Sequence, residues 1–376
     1  MAARKRKKSK SIIKPILLIL NALAVLLLLF SYLAPYIDPK FFWPFAFFGL
    51  AYPILLFINL CFFIYWLLHK SIVCLLSFIP LILGYVPLKK HIGFSNNPNR
   101  QEVDQRDSTF LRVLTYNVHL FRQEDSNTTP KTKEEITELI RSVKPDIVCL
   151  QEFYTRKHGK YNTKQHLAPQ LGLPYSYFKP IYENDYEAYG LIILSRYPIQ
   201  QAGSIPDYRE RKTLNRVIYA DIFRNGRAFR VYNIHLQSIG FEPQDYAFVR
   251  DVQKHAFEKD NVASTRRIGS RLKWAFIERS EQARHVKDEI NKCKKPVILM
   301  GDFNDTPLSY AVNTIATDLK NSFVEKGSGW GVTYNGEFPN FQIDYILSSK
   351  TFEIQHYQIL KKKLSDHYAI WSDLKL

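Results

Sequence analysis

The chain has 376 residues, 46% of them hydrophobic, with 52 Lys+Arg against 35 Asp+Glu and a formal net charge of +17. Residues 1–90 take 11 of the basic residues and a single acid, Asp38, leaving 41 basic and 34 acidic residues for the remainder. An apolar third joined to a nearly balanced polar two-thirds excludes a uniform globular chain, a disordered chain and a collagen-like one.

A basic block, Arg4, Lys5, Arg6, Lys7, Lys8 and Lys10, comes first. Behind it, Ile12–Ile37 carries only Lys14, while Phe41–Leu68 and Ser71–Leu88 carry no charge. A helix rises about 1.5 Å per residue and the bilayer core is roughly 30 Å thick, so each run is long enough to span it. Three transmembrane helices are predicted within an anchor over residues 1–90. The first run is too long for the apolar core of a cleaved signal. Tyr32, Tyr36, Phe41, Phe42, Trp43, Tyr65 and Trp66 lie near the run ends, where interfacial aromatic belts sit. The positive-inside rule places the basic block in the cytoplasm, and three crossings then put the rest of the chain outside a cytoplasmic (inner) membrane. Lys89 and Lys90 argue weakly the other way, and a count of two spans would reverse the answer.

Four cysteines form neither a disulfide framework nor a zinc spacing: Cys61 and Cys74 lie in apolar runs, and Cys149 and Cys293 are isolated. Cys149, inside an apolar run, reads as a small core residue. Residues 91–108 have no periodicity and read as a linker, which starts the soluble domain at 109–376. Strands are predicted at Leu111–Leu120, Ile147–Glu152, Tyr189–Ile199, Ile218–Phe223, Arg227–Gln237, Pro296–Asn304, Phe341–Ser348 and Phe352–Leu360. Helices are predicted at Thr132–Val143 and Glu278–Cys293. The mixture means α/β with a large sheet content and one core.

Several of these strands end in acids, amides or imidazoles: Asn117 in LTYNVHL, Glu152 in IVCLQE, His235 in VYNIHLQ, Asp302 and Asn304 in VILMGDFND, Asp344 in FQIDYIL, and Asp366 with His367 in LSDHYAI. One such end is a turn signal; the series, in order, describes an active site along one edge of packed sheets. A carboxylate ending a buried strand is costly unless a cation or donors compensate it, which makes Glu152 the first candidate ligand of a metal. Asn117 can add a neutral oxygen, and Asp366 a carboxylate to the same or a second ion. A hard divalent cation with oxygen ligands, Mg²⁺ or alternatively Mn²⁺, suits that set. His367 can serve as general base or as donor to a phosphate.

Over Phe110–Leu374 the chain resembles the endonuclease/exonuclease/phosphatase superfamily, the DNase I-like phosphodiesterases. YN, QE, GDFN and a late SDH carry the likeness, with LIILSRYPI, including Ser195 and Arg196, as a further recurrent element. The resemblance implies a four-layer α/β sandwich behind the membrane anchor, and a metal-dependent hydrolase of phosphodiester or phosphomonoester bonds. It implies that Asp344 fixes the His367 tautomer, and that Asp302 and Asn304 position the attacking water and the phosphate oxygens. DNase- and sphingomyelinase-like members carry His at the place of His235 and apurinic-site repair nucleases carry Tyr, so abasic-site repair is disfavoured. Glu187, in YEAYGL, is similar to the acid that orients that His.

An insertion, Ser238–Trp274, interleaves Arg250, Lys254, Lys259, Arg266, Arg267, Arg271 and Lys273 with Phe248, Phe257 and Trp274. It reads as amphipathic surface helix with solvated charges in preference to an anion-binding flap. The substrate is expected to be a nucleic acid or a phospholipid headgroup, with the lipid bilayer as the other partner and no obligate protein partner. The alternative is a catalytically silent, membrane-tethered phosphate-binding module.

Overall fold

The structure is a computed structural model that describes residues 13–95, 109–121, 130–159, 162–206, 216–242, 244–248, 261–336 and 340–376. The basic block at 4–10 and Arg250, Lys254, Phe257 and Lys259 of the insertion lie outside the described residues.

The anchor folds as α1 (Ile13–Leu33), α2 (Pro39–Phe42), α3 (Pro44–Leu50), α4 (Tyr52–Leu68), α5 (Cys74–Leu83) and α6 (Tyr85–His91). Proline opens α2, α3 and α4, where its missing N–H leaves no intrahelical bond unmade. Among the described residues only α1, 21 residues, is by itself long and apolar enough to cross a membrane; α3 and α4 qualify together but are bent by 65°. Three full-length helical spans are therefore not found among them. α5 has ten residues, about 15 Å at a helix rise of roughly 1.5 Å per residue, which is half a bilayer core.

The packing of these helices inverts that of a water-soluble bundle. Asn21, Ser31, Asn59 and Ser77 are fully buried. Asn21 donates to Ser77 Oγ at 2.6 Å and accepts from Trp66 at 3.0 Å, while Asn59 donates to the Ala24 carbonyl at 3.0 Å. Outside, Ile16, Ile19, Leu23, Ile54, Phe57 and Ile79 are exposed. An apolar girdle of this extent around polar interhelical bonds is what lipid, not water, favours.

β1 (Ile92–Phe94) leaves α6 and pairs antiparallel with β11 (Ser328–Trp330), so the first residues read as linker form an edge strand, while 96–108 lie outside the described residues. The remaining strands are β2 (Leu111–Asn117), β3 (Ile147–Arg156), β4 (Tyr175–Glu183), β5 (Glu187–Ser195), β6 (Ile199–Ser204), β7 (Val217–Arg224), β8 (Arg227–His235), β9 (Val297–Asp302), β10 (Leu319–Asn321), β12 (Asp344–Ser349), β13 (Glu353–Leu360) and β14 (Ala369–Lys375). They form two six-stranded sheets, ordered β13-β14-β2-β3-β5-β4 and β10-β12-β9-β8-β7-β6. Within each sheet the pairing is antiparallel except at its centre, β2 with β3 and β8 with β9.

Alternation along each strand builds the layers. Val113, Cys149, Ile193, Val231, Ile298 and Met300 meet between the sheets. Leu114, Tyr116, Val148 and Ile192 point the other way, onto α7 (Pro130–Val143) and α8 (Thr163–Leu171). On the far side, Tyr232, Ile234, Leu299 and Leu347 pack against α9 (Asn261–Lys292) and α10 (Tyr310–Ala316). The result is the four-layer α/β sandwich. Strands buried on both faces read as continuous apolar runs, which is why their boundaries were visible in sequence. Cys149 is a buried free thiol in the inter-sheet core, as expected.

Where described, the insertion is irregular over 238–242 and helical over 244–248 and from 261. Its last residues, 261–274, are the first turns of α9, and Arg267 and Arg271 pair with Asp245 and Glu242. These two charges are tied down locally.

The anchor docks on the sandwich. Leu308, fully buried, sits among Leu28, Tyr52 and Leu55, and Phe47 lies edge-on to Phe276 of α9 at 5.2 Å. Lys40 bridges to Glu281 at 2.8 Å, and Asp38 pairs with Arg284.

Candidate active site

Eight of the nine site residues named from the sequence converge at one end of the seam between the sheets. The first sheet brings Asn117 at the end of β2 and Glu152 in β3, together with Asp366 and His367 just before β14. The second brings His235, Asp302 and Asp344 at the ends of β8, β9 and β12, and Asn304 two residues beyond β9. Register aligns them: Asp302 is the ladder partner of both His235 and Asp344.

Local backbone features aim the side chains. Glu152 sits at φ 50°, in an irregularity of the β3/β5 ladder between Leu150 and Phe153. A non-glycine residue there is strained, and the bulge turns its carboxylate out of the alternation toward the cleft. Asn304 is also left-handed, at φ 53°. Gly301 has φ 145°, and a Cβ on it would lie 2.0 Å from the Ile234 carbonyl oxygen. The GDFN glycine is thus required for β8 and β9 to approach, which sets the separation of His235 from Asp302.

Asp302 is the hub. Its Oδ1 accepts from the Asn304 backbone N–H at 2.8 Å, and its Oδ2 accepts from Asn117 Nδ2 at 3.1 Å and Asn304 Nδ2 at 3.2 Å. Burial, with the Asp344 charge adding, pushes its pKa up to about 6 even though His367 opposes the rise. His367 lies 2.9 Å through Nδ1 from Asp344 Oδ2, and its Nε2 is 3.6 Å from Asp302 Oδ2. Burial would lower the imidazole, but Asp344 and Asp302 outweigh it and hold His367 well above its ordinary pKa. It is an imidazolium at neutral pH. His235 is the opposite case: burial lowers its pKa against the pull of Asp302, 3.7 Å away, so the ring stays neutral. Two imidazoles in one cleft thus carry different charges, the kind of divergence that separates acid from base roles.

Glu152 is partly exposed, and burial followed by the nearby Asp366 charge raises its pKa. A carboxylate whose charge is disfavoured by a second carboxylate in the same cleft fits a bound cation, and the donor atoms of both are hard oxygens. Asn117 is turned the other way: Nδ2 faces Glu152 Oε1 at 3.3 Å, and Oδ1 accepts the His119 N–H at 3.1 Å. Ligation through Oδ1 requires its amide to rotate. A second grouping, Asp302, Asp344 and His367, also brings ligand-type atoms within 4.8 Å of one another, but Asp344 is hydrogen-bonded to His367, and Asp302 to Asn117 and Asn304.

Glu187 is the ninth residue and is not brought in. It accepts from Tyr154 Oη at 2.5 Å and takes an Asn184 side-chain bond at its backbone N–H, away from the cleft. It therefore does not orient His235, whose Nδ1 is buried without a hydrogen-bond partner. The short YEAYGL match carried sequence proximity only.

Three features escaped the sequence reading. His119 lines the cleft with Nδ1 3.4 Å from Asp366, on a turn where His119, Leu120 and Phe121 all have positive φ. Its place two residues after Asn117 was the available signal. Arg279 of α9 is buried and holds the GDFND loop, donating to Asp305 at 2.8 Å and to the Gln237 carbonyl at 3.0 Å. Behind the site, Gln151 donates to Asn233 Oδ1 at 2.7 Å and to Thr115 at 3.0 Å, and Asn233 donates to the Leu150 and Ile192 carbonyls at 2.9 Å each.

The comparisons follow this geometry. Residues 114–367 match the endonuclease/exonuclease/phosphatase family, and residues 14–91 match a family described only as a domain of unknown function. Among curated proteins no match is found. An endonuclease/exonuclease/phosphatase from Beutenbergia cavernae is similar at 20% identity and TM-score 0.52, over 71% of this chain and 72% of that one. The human Nocturnin catalytic domain with bound sulfate gives 20% and 0.51, over 74% and 99%. D. rerio TDP2 complexed with single-strand DNA product gives 17% and 0.50, over 71% and 100%. At these identities the likeness is one of fold.

Proposed function

The chain belongs to the endonuclease/exonuclease/phosphatase family, and on that premise we propose that it is a membrane-anchored, metal-dependent phosphodiesterase whose reacting phosphate lies between Asp302 and His367. The observation that carries this reading is the buried row Asp344–His367–Asp302 built across the two sheets, with Asp344 hydrogen-bonded to His367 Nδ1 and Asp302, its pKa raised, 3.6 Å from Nε2. A silent phosphate-binding module has no use for a carboxylate poised near pH 6.

In the proposed reaction Asp302, positioned by Asn304, takes the proton of a water. The water oxygen bonds to phosphorus as the bond to the leaving oxygen breaks, and that oxygen is protonated from solvent. His367, held charged by Asp344, donates to a phosphoryl oxygen, where charge builds up. His235 hydrogen-bonds the same group as a neutral ring. Glu152 and Asp366, with Asn117 once its amide turns, would hold Mg²⁺ or Mn²⁺, which supplies charge neutralisation at the phosphoryl oxygens.

The test uses the full chain in detergent micelles, with an aryl phosphodiester, DNA and phospholipid vesicles, in Mg²⁺ or in excess chelator. Turnover of at least one ester in Mg²⁺, abolished by chelator and restored by Mg²⁺, is expected. Binding without turnover in either condition would sink the hydrolase reading in favour of the silent module.

We further propose that the anchor passes the cytoplasmic membrane more than once and leaves the catalytic domain outside. Asn59 bonding Ala24 while Trp66 bonds Asn21 supports antiparallel α1 and α4, and Tyr32 bonding the Pro80 carbonyl supports a returning α5 and α6. External protease should digest the catalytic domain of intact spheroplasts; protection of that domain would place it in the cytoplasm.

A further inference from the structure

One wall of the catalytic cleft is completed by a residue from outside the catalytic domain. Asn117, Glu152, His235, Asp302, Asp366 and His367 line the polar end of a cavity of about 270 Å³, and its other side is formed by Ile239, Phe241, Leu272, Phe276 and Leu50. Leu50 is the last residue of α3, in the anchor.

That wall is fixed and continuous with the anchor's outer surface. Leu50 and Phe47 pack with Ala46, Leu272 and Phe276 in one apolar cluster. Lys273 of α9 lies over the Trp43 ring at 4.8 Å, and the Lys40–Glu281 and Asp38–Arg284 pairs clamp α2 to α9. Within the same segment Phe41 is 83% exposed and Phe42 is 52% exposed. Ring contacts join this segment to both sides: Phe47 touches Phe276 and Trp43, while Phe42 touches Phe45, which touches Phe30 of α1. Apolar side chains thus connect the anchor to the wall of the cavity that holds the phosphate site.

We propose that the substrate is an amphiphilic phosphoester, a phospholipid of the bilayer that holds the anchor. Its phosphate reaches Asp302 and His367 while its apolar chains remain against α2 and α3. This rests on the hydrolase reading above and adds to it the substrate class and the part the anchor plays in selecting it. Nucleic acid can stack its bases on Phe241 and Phe276, but it carries no aliphatic chain to place against Leu50, Ile239 and Leu272. For a lipid, each methylene moved from water onto that wall favours binding roughly fourfold.

The full chain is assayed in Mg²⁺ on vesicles of phosphatidylcholine and phosphatidylglycerol, on an aryl phosphodiester and on a single-stranded oligonucleotide. Lipid headgroup release is expected to exceed oligonucleotide cleavage, and Leu50→Glu should lower the ratio of lipid to aryl-ester turnover at least tenfold. A second measurement needs no variant: a dihexanoyl phospholipid below its micelle concentration should show a KM at least about 50-fold lower than its deacylated glycerophosphodiester, as three buried methylenes imply. Oligonucleotide cleavage without lipid turnover, equal KM values for the two soluble esters, or equal loss on lipid and aryl ester in Leu50→Glu would each overturn the proposal while leaving the hydrolase intact. Turnover of none of the three substrates would overturn both.

Discussion

Asp302→Asn is expected to lower kcat by about 10³-fold or more, at the upper end of the 10²–10⁴ typical of a positioned general base. The amide keeps the shape, but its single oxygen can serve only one of the two acceptor positions and it cannot take a proton from water. The pH profile separates this role from a structural one. An ordinary aspartate titrates at roughly 3.9, whereas burial brings Asp302 to about 6. A base works only when deprotonated, so log kcat/KM of the parent enzyme should fall as pH drops below about 6. Residual turnover in Asp302→Asn should lose that acid limb. A limb at the same pH in the variant would assign it to another group.

The second large effect is at His367. Replacing it by Ala should cost roughly 10²–10⁴ in kcat, and Asp344→Asn should cost a similar factor although the imidazole remains. His367 is charged at neutral pH because Asp344 and Asp302 together overcome burial. Its folded pKa is raised, so its protonated form is lost only as pH rises through that raised value. Without the Asp344 charge, burial dominates, and the alkaline limb of kcat/KM should move to lower pH. An NMR titration of the His367 ring should move the same way. Because the pair acts as a unit, the double variant should be no worse than the poorer single variant. Multiplicative losses would show that the two residues act independently.

The site was legible where the chain ends buried strands. β2, β3, β8, β9 and β12 are covered on both faces and read as apolar runs flanked by polar residues: Asn117, His235 and Asp302 close β2, β8 and β9, Glu152 interrupts β3, and Asp344 opens β12. β4 was invisible because it is an edge strand: Tyr175–Glu183 is exposed or half-buried throughout and shows no alternation. β14 was hidden by polar residues that are nevertheless buried, Asp373 against Arg112 at 2.8 Å and Ser372 on the His356 carbonyl at 2.6 Å. The helix predicted at Glu278–Cys293 is the second half of α9. Its first half carries a different apolar stripe, with Leu272 and Phe276 turned to the anchor, and a single periodicity does not fit both faces. The anchor itself was legible as apolar runs, but the breaks at Pro39, Pro44 and the α3/α4 bend were not counted against its spans.

The polar bridge behind the cleft bears on how precision is kept at a site whose parts come from two sheets. Gln151 immediately precedes Glu152, Asn233 is two residues before His235, and the two amides bond across the seam beside a core made mainly of apolar contacts. Aliphatic faces tolerate sliding by a fraction of a side chain at small cost, whereas a buried amide deprived of its partner costs about 1–3 kcal/mol. The bridge works as a locating dowel between two plates. It leaves the enzyme free to vary its greasy interior while the carboxylate on one plate and the imidazole on the other stay in alignment.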